Sequence, residues 1–300
     1  MRQIFRLLLL LVLSALLLTG CGSPSGTVTP SAPASETHPS AGESTQTPFV
    51  PSTPVPEIPL AAKINGQEIT QDEYQAEVSR ARAASEAGLV AYNEADILQT
   101  LIDETLLAQG AAEAGFIPDE ALVQSRIAQL GLNENSLAEW LAANGYTRES
   151  FEQALSRSIA AAWMRDQIIA AVPSTTEQVH ARQILLYNSD EAESVYAQLQ
   201  SGSDFETLAA QYDPHTLGDL GWFPRSYLAV PELDDPVFAL QPGEYTAVIQ
   251  TVLGFHIVQV IERDLQHPLS PGALQVIRIQ AIQNWLDERS AQSEIQIFLP

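Results

Sequence analysis

The sequence has one cysteine and few basic residues, and these shortages exclude several classes of protein. The single cysteine, Cys21, leaves no partner for a disulfide within the chain. Lysine and arginine together number 14, against 37 aspartate and glutamate residues, which gives a formal net charge of −23. A surface this negative is unsuited to nucleic acid, because Lys and Arg side chains bind the phosphates. We therefore expect no nucleic-acid partner.

Signatures of hydrolytic and metal chemistry are also missing. The chain has no Gly-x-Ser-x-Gly motif, the sharp turn that presents the nucleophilic serine of an α/β-hydrolase. Its five histidines are scattered without the spacing of metal ligands. The sequence therefore predicts neither a metal site nor a cofactor.

The N-terminal residues are typical of a secretory signal. Arg2 and Arg6 precede an apolar run, Leu7–Leu18, which is shorter than the ~20 residues that a membrane-spanning helix needs. The following Thr19-Gly20-Cys21 resembles a bacterial lipobox. The resemblance implies a signal peptide over residues 1–20 and a lipid on the Cys21 thiol. A soluble secreted chain, with a cysteine at this position by chance, is the alternative.

Residues 21–59 have the composition of a disordered linker. Nine prolines occur between Gly22 and Pro59, together with many serines and threonines and no Lys or Arg. Such a segment cannot bury enough apolar surface to offset the entropy that it would lose on ordering. We expect a stalk that holds the folded residues away from the cell membrane, on its extracytoplasmic side.

The residues after the linker predict a hairpin followed by helices. Apolar alternation around Asn65-Gly66 indicates a β-hairpin, and the capping box Thr70-Gln71-Asp72-Glu73 predicts a helix from Gln71. Apolar residues at helical spacing predict further helices over Asp96–Ala114, from Pro118, behind an N-cap at Ser136, and over Arg148–Ala171. We find no titratable cluster among them, so the pattern indicates a small helical domain.

A different pattern lies between Val179 and Arg263. Its parts are a strand at Ala181–Leu185, a helix ending at Gly202, the glycine-rich run Gly218–Phe223, and a strand that opens with Gly254-Phe255-His256. In order and content this segment resembles the parvulin-type peptidyl-prolyl isomerases. The resemblance implies a small antiparallel sheet surrounded by helices, and isomerisation of X–Pro bonds as the activity.

The hairpin, the helices and the parvulin-like segment together are similar to the SurA and PrsA family of extracytoplasmic chaperones and foldases. In that family the final helix packs on the N-terminal helices. Here Leu274, Ile277 and Trp285 form a helical stripe, and Ile295–Phe298 ends the chain as a strand. The resemblance implies an α+β protein with a discontinuous, helical SurA-N-like chaperone domain and an inserted parvulin-like domain. The implied limits are residues 60–173 completed by 268–300, and 174–266.

The parvulin resemblance also implies a site. Parvulins commonly pair two histidines with an Asp or Cys that faces the substrate amide. His256 matches the second histidine and Asp213 the acidic position, while Gln183 stands where the first histidine is expected. Glutamine both donates and accepts hydrogen bonds, so Gln183 can orient His256 without titrating. The positions that match the proline-binding slot are Leu220, Leu228, Leu233 and Phe238, for which core packing is the alternative role.

The sequence thus predicts a membrane-anchored extracytoplasmic folding factor that acts on exported polypeptides with X–Pro bonds. One alternative is a holdase that keeps the parvulin fold without catalysis. Another is a solute-binding lipoprotein, which would need two alternating strand–helix domains around a cleft. The helices predicted between Asp96 and Ala171 disfavour the solute-binding protein. The clients and the oligomeric state are not predicted.

Overall fold

A computed structural model describes residues 59–89 and 91–299 as two compact units. One unit comprises the described residues up to Thr105, Pro118–Arg157 and the residues from Glu294. The other comprises Leu106–Ile117 and Ser158–Ser293. The signal peptide, Cys21 and the linker lie outside the described residues. The domain limits implied above stay a prediction.

The first unit begins with the predicted hairpin. Strand β1 (Leu60–Ile64) pairs antiparallel with β2 (Gln67–Thr70), and the turn places Asn65 and Gly66 at φ angles of 50° and 87°. Asn and Gly tolerate this left-handed conformation, which two-residue hairpin turns require. The C-terminal strand, β7 (Ile295–Ile297), pairs with the other edge of β1 to give a three-stranded sheet in the order β2-β1-β7.

The chain continues after β2 into five helices. The Thr70 hydroxyl accepts a hydrogen bond from the Glu73 amide at 3.1 Å, so the predicted N-cap at Thr70 is confirmed. The helices are α1 (Gln71–Glu86), α2 (Glu94–Glu113), α3 (Glu120–Ala128), α4 (Glu134–Ala143) and α5 (Arg148–Ala170).

The N-cap predicted for α4 was wrong. Asn133, not Ser136, precedes the helix, and its side chain accepts a hydrogen bond from the Ser136 amide at 3.0 Å. Asparagine is as effective an N-cap as serine and comes first along the chain. The helix that starts at Glu134 buries Leu137 and Leu141.

The first unit also contains a cluster of titratable side chains, although the sequence predicted none among its helices. The Arg157 side chain is 12% exposed, and its Nη2 lies 2.5 Å from Glu73 Oε1 while its Nε lies 3.7 Å from Glu104 Oε2. Glu77, which follows Glu73 on the same helix, forms an ion pair with Arg80 at 2.5 Å. It also accepts a hydrogen bond from the Tyr146 hydroxyl at 3.3 Å. Burial, reinforced by the Glu77 charge, raises the pKa of Tyr146.

The second unit is built on a four-stranded antiparallel sheet in the order β4-β3-β6-β5. Its strands are β3 (Thr175–Leu186), β4 (Asp219–Pro224), β5 (Ile249–Thr251) and β6 (Gly254–Pro268). Its other elements are α6 (Ser189–Gln200), α7 (Phe205–Tyr212), a 3₁₀ turn (Pro231–Leu233), α8 (Asp234–Phe238) and α9 (Pro271–Ala291). The mixed helix and sheet composition confirms the predicted α+β class.

The two faces of this sheet carry separate apolar layers. On one face, Ile184, Leu186 and Ile257 pack against the apolar residues of α6 and α7. On the opposite face lies a second layer, called here the slot layer, because it includes Leu233 and Phe238, two of the residues predicted to line the proline slot. Its members are Val179, Ala181, Phe223, Val230, Leu233, Val237, Phe238, Val258 and Val260. The alternation of side chains along β3 and β6 produces this division.

The long C-terminal helix α9 packs within the second unit. A side chain at Gly110 would bring its Cβ to 2.6 Å from the Trp285 indole, so glycine is required at this contact. Met164 Cγ would lie 3.6 Å from the same Cβ. Within residues 59–89 and 91–299, no helix combines the length and apolarity needed to cross a membrane.

Candidate isomerase site

The side chains of Gln183 and His256 lie on the same face of the sheet. Gln183 on β3 alternates in phase with Val179 and Ala181, which belong to the slot layer. His256 on β6 alternates in phase with Val258 and Val260 of the same layer. The strands pair Gln183 with Val258 and Leu185 with His256, so the two polar residues are diagonal neighbours.

Two hydrogen bonds fix the imidazole of His256. Its Nδ1 lies 2.9 Å from Gln183 Oε1, and its Nε2 lies 2.9 Å from Thr251 Oγ1. An amide oxygen only accepts hydrogen bonds, so Nδ1 carries the proton and Nε2 of the neutral ring accepts from the Thr251 hydroxyl. That hydroxyl also accepts a hydrogen bond from the Leu253 amide at 3.0 Å. The network therefore defines both the ring orientation and the tautomer.

The environment of His256 keeps it neutral. The residue is 1% exposed, and burial lowers its pKa, an effect that the carboxylate of Glu232 opposes in part. A neutral imidazole held by two polar partners needs no counter-ion in an otherwise apolar layer.

The glycine-rich run brings β4 close to Gln183. The Gln183 amide donates to the Gly218 carbonyl at 2.8 Å. Gly218 has φ +71°, and a Cβ on it would lie 1.9 Å from the Gln183 carbonyl oxygen. Only glycine fits this position, because both the backbone conformation and the space exclude a side chain.

Asp213 is held by its own loop. It follows α7, and its Oδ1 accepts hydrogen bonds from the amides of His215 and Thr216, each at 3.1 Å. The Thr216 hydroxyl donates to Oδ2 in a short bond. These bonds, that of the Thr216 hydroxyl foremost, lower the pKa of Asp213. Among the described residues, no hydrogen bond joins Asp213 to Gln183 or His256, so its catalytic role stays a prediction.

The four residues predicted to line the slot divide into two pairs. Leu233 and Phe238 are 2% and 3% exposed and form part of the slot layer itself. Leu220 and Leu228 are partly buried and pack against that layer, so part of their apolar surface stays exposed. A direct contact between any of the four and substrate stays a prediction.

Thr251 is the member of this network that sequence reasoning missed. It lies on β5, five residues before His256, in a segment whose sequence is that of an ordinary hairpin strand. The antiparallel pairing of Ile249 with His256 places β5 beside the ring. A threonine shortly before the Gly-aromatic-His strand was the only available signal.

His180 has a different set of partners. Its Nε2 lies 2.8 Å from Asp219 Oδ1, and its ring stacks on Trp222 with centroids 5.7 Å apart. Trp222 also stacks on His267, with ring centroids 4.0 Å apart. His180 therefore does not substitute for the histidine that Gln183 replaces.

The second unit has a four-stranded antiparallel sheet with helices on one face and a buried histidine on the other, which is the arrangement that the parvulin resemblance implied. Residues 168–264 match the family model of the PPIC-type peptidyl-prolyl isomerase (PPIase) domain. Residues 44–165 match the family model of the SurA-like N-terminal domain. The chain thus carries a SurA-like N-terminal domain followed by a PPIC-type PPIase domain.

Curated relatives carry the names of both families. The foldase protein PrsA of Geobacillus sp. (strain WCH70) is 31% identical over 124 residues, which cover 40% of this chain and 44% of the relative. The chaperone SurA of Chromobacterium violaceum is 27% identical over 256 residues, which cover 71% of this chain and 59% of the relative. The chain thus spans about half the length of these two relatives. A crystal structure of PrsA from Bacillus cereus covers 76% of this chain and 86% of its own, with 18% identity and a TM-score of 0.42.

Proposed function

We propose that the protein is an extracytoplasmic folding factor that isomerises X–Pro bonds in exported polypeptides. The observation that carries the proposal is the neutral imidazole of His256, bound by Gln183 and Thr251 on the sheet face of the slot layer. The matches to a PPIC-type PPIase domain and to relatives named foldase and chaperone support it.

The chemistry of prolyl isomerisation suits such a site. The reaction makes and breaks no covalent bond, and its barrier of about 18–20 kcal/mol reflects the loss of amide resonance in the twisted state. The enzyme therefore has to bind the twisted amide more tightly than either planar form. A fixed imidazole near the rotating amide and an apolar surface for the pyrrolidine ring supply this preference.

The replacement of a histidine by Gln183 is compatible with this activity. No net proton transfer occurs in the reaction, so a partner of His256 need not titrate. Gln183 supplies the acceptor that holds Nδ1–H, which is the role that a neutral imidazole would have.

The N-terminal sequence supports anchoring of this factor to the membrane. In the proposal, cleavage before Cys21 and lipidation of its thiol place the linker and the folded units on the outer side of the cell membrane. Labelled fatty acid should enter the chain in its native cell, and Cys21→Ala should abolish the label and release the protein from the membrane. Label that persists in the variant would place any lipid elsewhere.

A refolding assay tests the proposed activity. The client is a protein whose refolding is limited by an X–Pro bond, and the chain carries Cys21→Ser so that no lipid interferes. The slow refolding phase should accelerate in proportion to the concentration of the chain, and His256→Phe should remove most of the acceleration. If the chain that carries only Cys21→Ser leaves the rate of the slow phase unchanged, the proposed catalysis is contradicted.

The second candidate is a holdase without catalysis, and the hydrogen bonding of Asp213 favours it. The carboxylate of Asp213 accepts hydrogen bonds from its own loop, and among the described residues none joins it to Gln183 or His256. A holdase would suppress client aggregation equally well with and without His256→Phe, while neither form would accelerate the slow phase.

A further inference from the structure

Every arginine of residues 174–266, called here the isomerase segment, forms an ion pair with a carboxylate of the same segment. The segment contains three arginines and no lysine. Arg182 pairs with Glu206 at 2.7 Å, Arg225 with Asp235 at 3.1 Å, and Arg263 with Glu177 at 2.8 Å. Arg263 is further held by the carbonyls of Phe238 and Leu240. Each arginine of this segment thus already has a carboxylate partner.

The same segment is rich in carboxylates. It contains 14 aspartate and glutamate residues, of which the three ion pairs neutralise only three. Like charges around a cleft sum to a potential that concentrates ligands of the opposite sign and speeds their association. The potential over this unit therefore attracts cationic polypeptide segments and repels anionic ones.

One of these carboxylates lies beside the site. Glu232 is exposed in the middle of the 3₁₀ turn (Pro231–Leu233). The last residue of this turn, Leu233, is buried in the slot layer. The turn packs against β5, the strand that carries Thr251. The charge of Glu232 acts on the His256 ring, where it opposes the effect of burial on the pKa.

An exposed apolar turn directly follows Thr251 in the chain. Val252 and Leu253 connect β5 to β6 and are 92% and 52% exposed. The Thr251 hydroxyl binds both the Leu253 amide and His256, so the turn is fixed to the site. Lysine and arginine have apolar stems that cover apolar surface while their charged ends stay in contact with water or a carboxylate.

We propose that this site selects X–Pro segments that carry lysine or arginine next to the proline, with Glu232 as a specificity-determining residue and Val252 and Leu253 as the apolar contact for the stem of the basic side chain. This inference rests on the proposed isomerase activity and adds its substrate class. Phosphorylated and acidic residues beside the proline are disfavoured, because every arginine of the segment is already paired.

The test compares three tetrapeptides that differ only in the residue before proline: Ala-Lys-Pro-Phe, Ala-Ala-Pro-Phe and Ala-Glu-Pro-Phe. The chain with Cys21→Ser is used at low salt, and cis–trans exchange is followed by NMR. We expect kcat/KM for the lysine peptide to exceed that for the glutamate peptide by about five-fold, and the ratio to fall toward one at about 1 M salt, where charges are screened within about 3 Å.

Charge-neutral variants separate the local contribution of Glu232 from the general charge of the unit. Glu232→Gln should reduce the lysine-to-glutamate ratio by about half or more. The matched control is Glu262→Gln, which removes the same charge from β6 six residues beyond His256, about 20 Å along the strand. The control should leave the ratio within experimental error.

The outcomes distinguish the two levels of the proposal. Exchange equal to that in buffer for all three peptides overturns the isomerase activity itself. Catalysis of all three peptides at equal rates leaves the activity standing and overturns the selectivity. A salt-sensitive preference for lysine that both variants reduce equally overturns the role of Glu232 and assigns the preference to the net charge of the unit.

Discussion

Gln183 and His256 are joined by a hydrogen bond of 2.9 Å between strands that pair side by side in one sheet. The contact assigns the imidazole proton to Nδ1, because the amide oxygen can only accept. A residue that does not titrate thereby sets the tautomer of one that does. The pair thus holds a neutral ring on the face of the sheet that carries the slot layer.

Removal of the Gln183 amide should disturb both stability and activity. Gln183→Leu leaves Nδ1–H of a buried ring without a partner, which costs about 1–3 kcal/mol of unfolding free energy. We expect kcat/KM for prolyl peptides to fall by about ten-fold or more, because the ring is no longer held in one tautomer. Gln183→His restores an acceptor and should keep both quantities near the wild-type values. Chemical denaturation and NMR exchange measure them, and a fully active, fully stable Gln183→Leu variant would exclude a role for the hydrogen bond.

The hydroxyl of Thr251 can be removed almost without change of shape. Thr251→Val leaves Nε2 of His256 and the Leu253 amide without their hydroxyl partner and should lower the unfolding free energy by about 1–2 kcal/mol. Thr251→Ser keeps the hydroxyl and serves as the control. The ¹⁵N shifts of the imidazole should report a mixture of tautomers in the valine variant only. Identical spectra for the two variants would contradict the assigned network.

Two glycines of the same motif separate backbone strain from collision. Gly218→Ala and Gly221→Ala both force a side chain to a positive φ, +71° and +67°. A Cβ at position 221 meets nothing within 4 Å, so this variant should lose only about 1–2 kcal/mol of unfolding free energy. At position 218 the Cβ would collide with the Gln183 carbonyl oxygen, and the loss should be larger by at least about 2 kcal/mol. Denaturant unfolding compares them, and equal losses would contradict the close approach of Gly218 to β3.

Burial of His256 makes stability depend on pH. Because burial lowers its pKa, the unfolded chain binds a proton below pH ~6.5 that the folded chain does not bind. The unfolding free energy should therefore fall as the pH falls from 7 through this range, and level off below the folded-state pKa. Asp213 and Asp219 have lowered pKa values, so their contributions are lost only below pH ~4. His256→Gln should flatten the pH 7 to 5 segment, and a variant with the wild-type slope would show that other groups produce it.

The sequence predicted local features more reliably than distant associations. The Asn65-Gly66 turn and the Thr70 cap depend on neighbouring residues, and both are confirmed. The N-cap predicted for α4 was wrong because Asn133 and Ser136 are both good N-cap residues. The helix that follows Asn133 buries Leu137 and Leu141. The Arg157 cluster was missed because its acidic partners, Glu73 and Glu104, are distant in sequence.

The site was predictable to a similar degree. The neighbouring positions of Gln183 and His256 followed from a family pattern of two strands, and the structure brings the two side chains together. Thr251 was missed because nothing in an ordinary strand sequence indicates which neighbour its hydroxyl will bind. The local hydrogen bonds of Asp213 follow from the short loop between α7 and β4, whose amides face the carboxylate.

The central claim is that the His256–Gln183 pair supports prolyl isomerisation without a second titrating group. The measurement that tests it most directly is the rate of cis-to-trans relaxation of Ala-Lys-Pro-Phe across pH 6.5–8 with the purified chain carrying Cys21→Ser. The account predicts that a micromolar concentration of the chain raises the relaxation rate at least ten-fold above the rate in buffer. This increase should be nearly independent of pH in this range and should be lost in His256→Phe. A relaxation rate equal to that in buffer, at every pH, would contradict it.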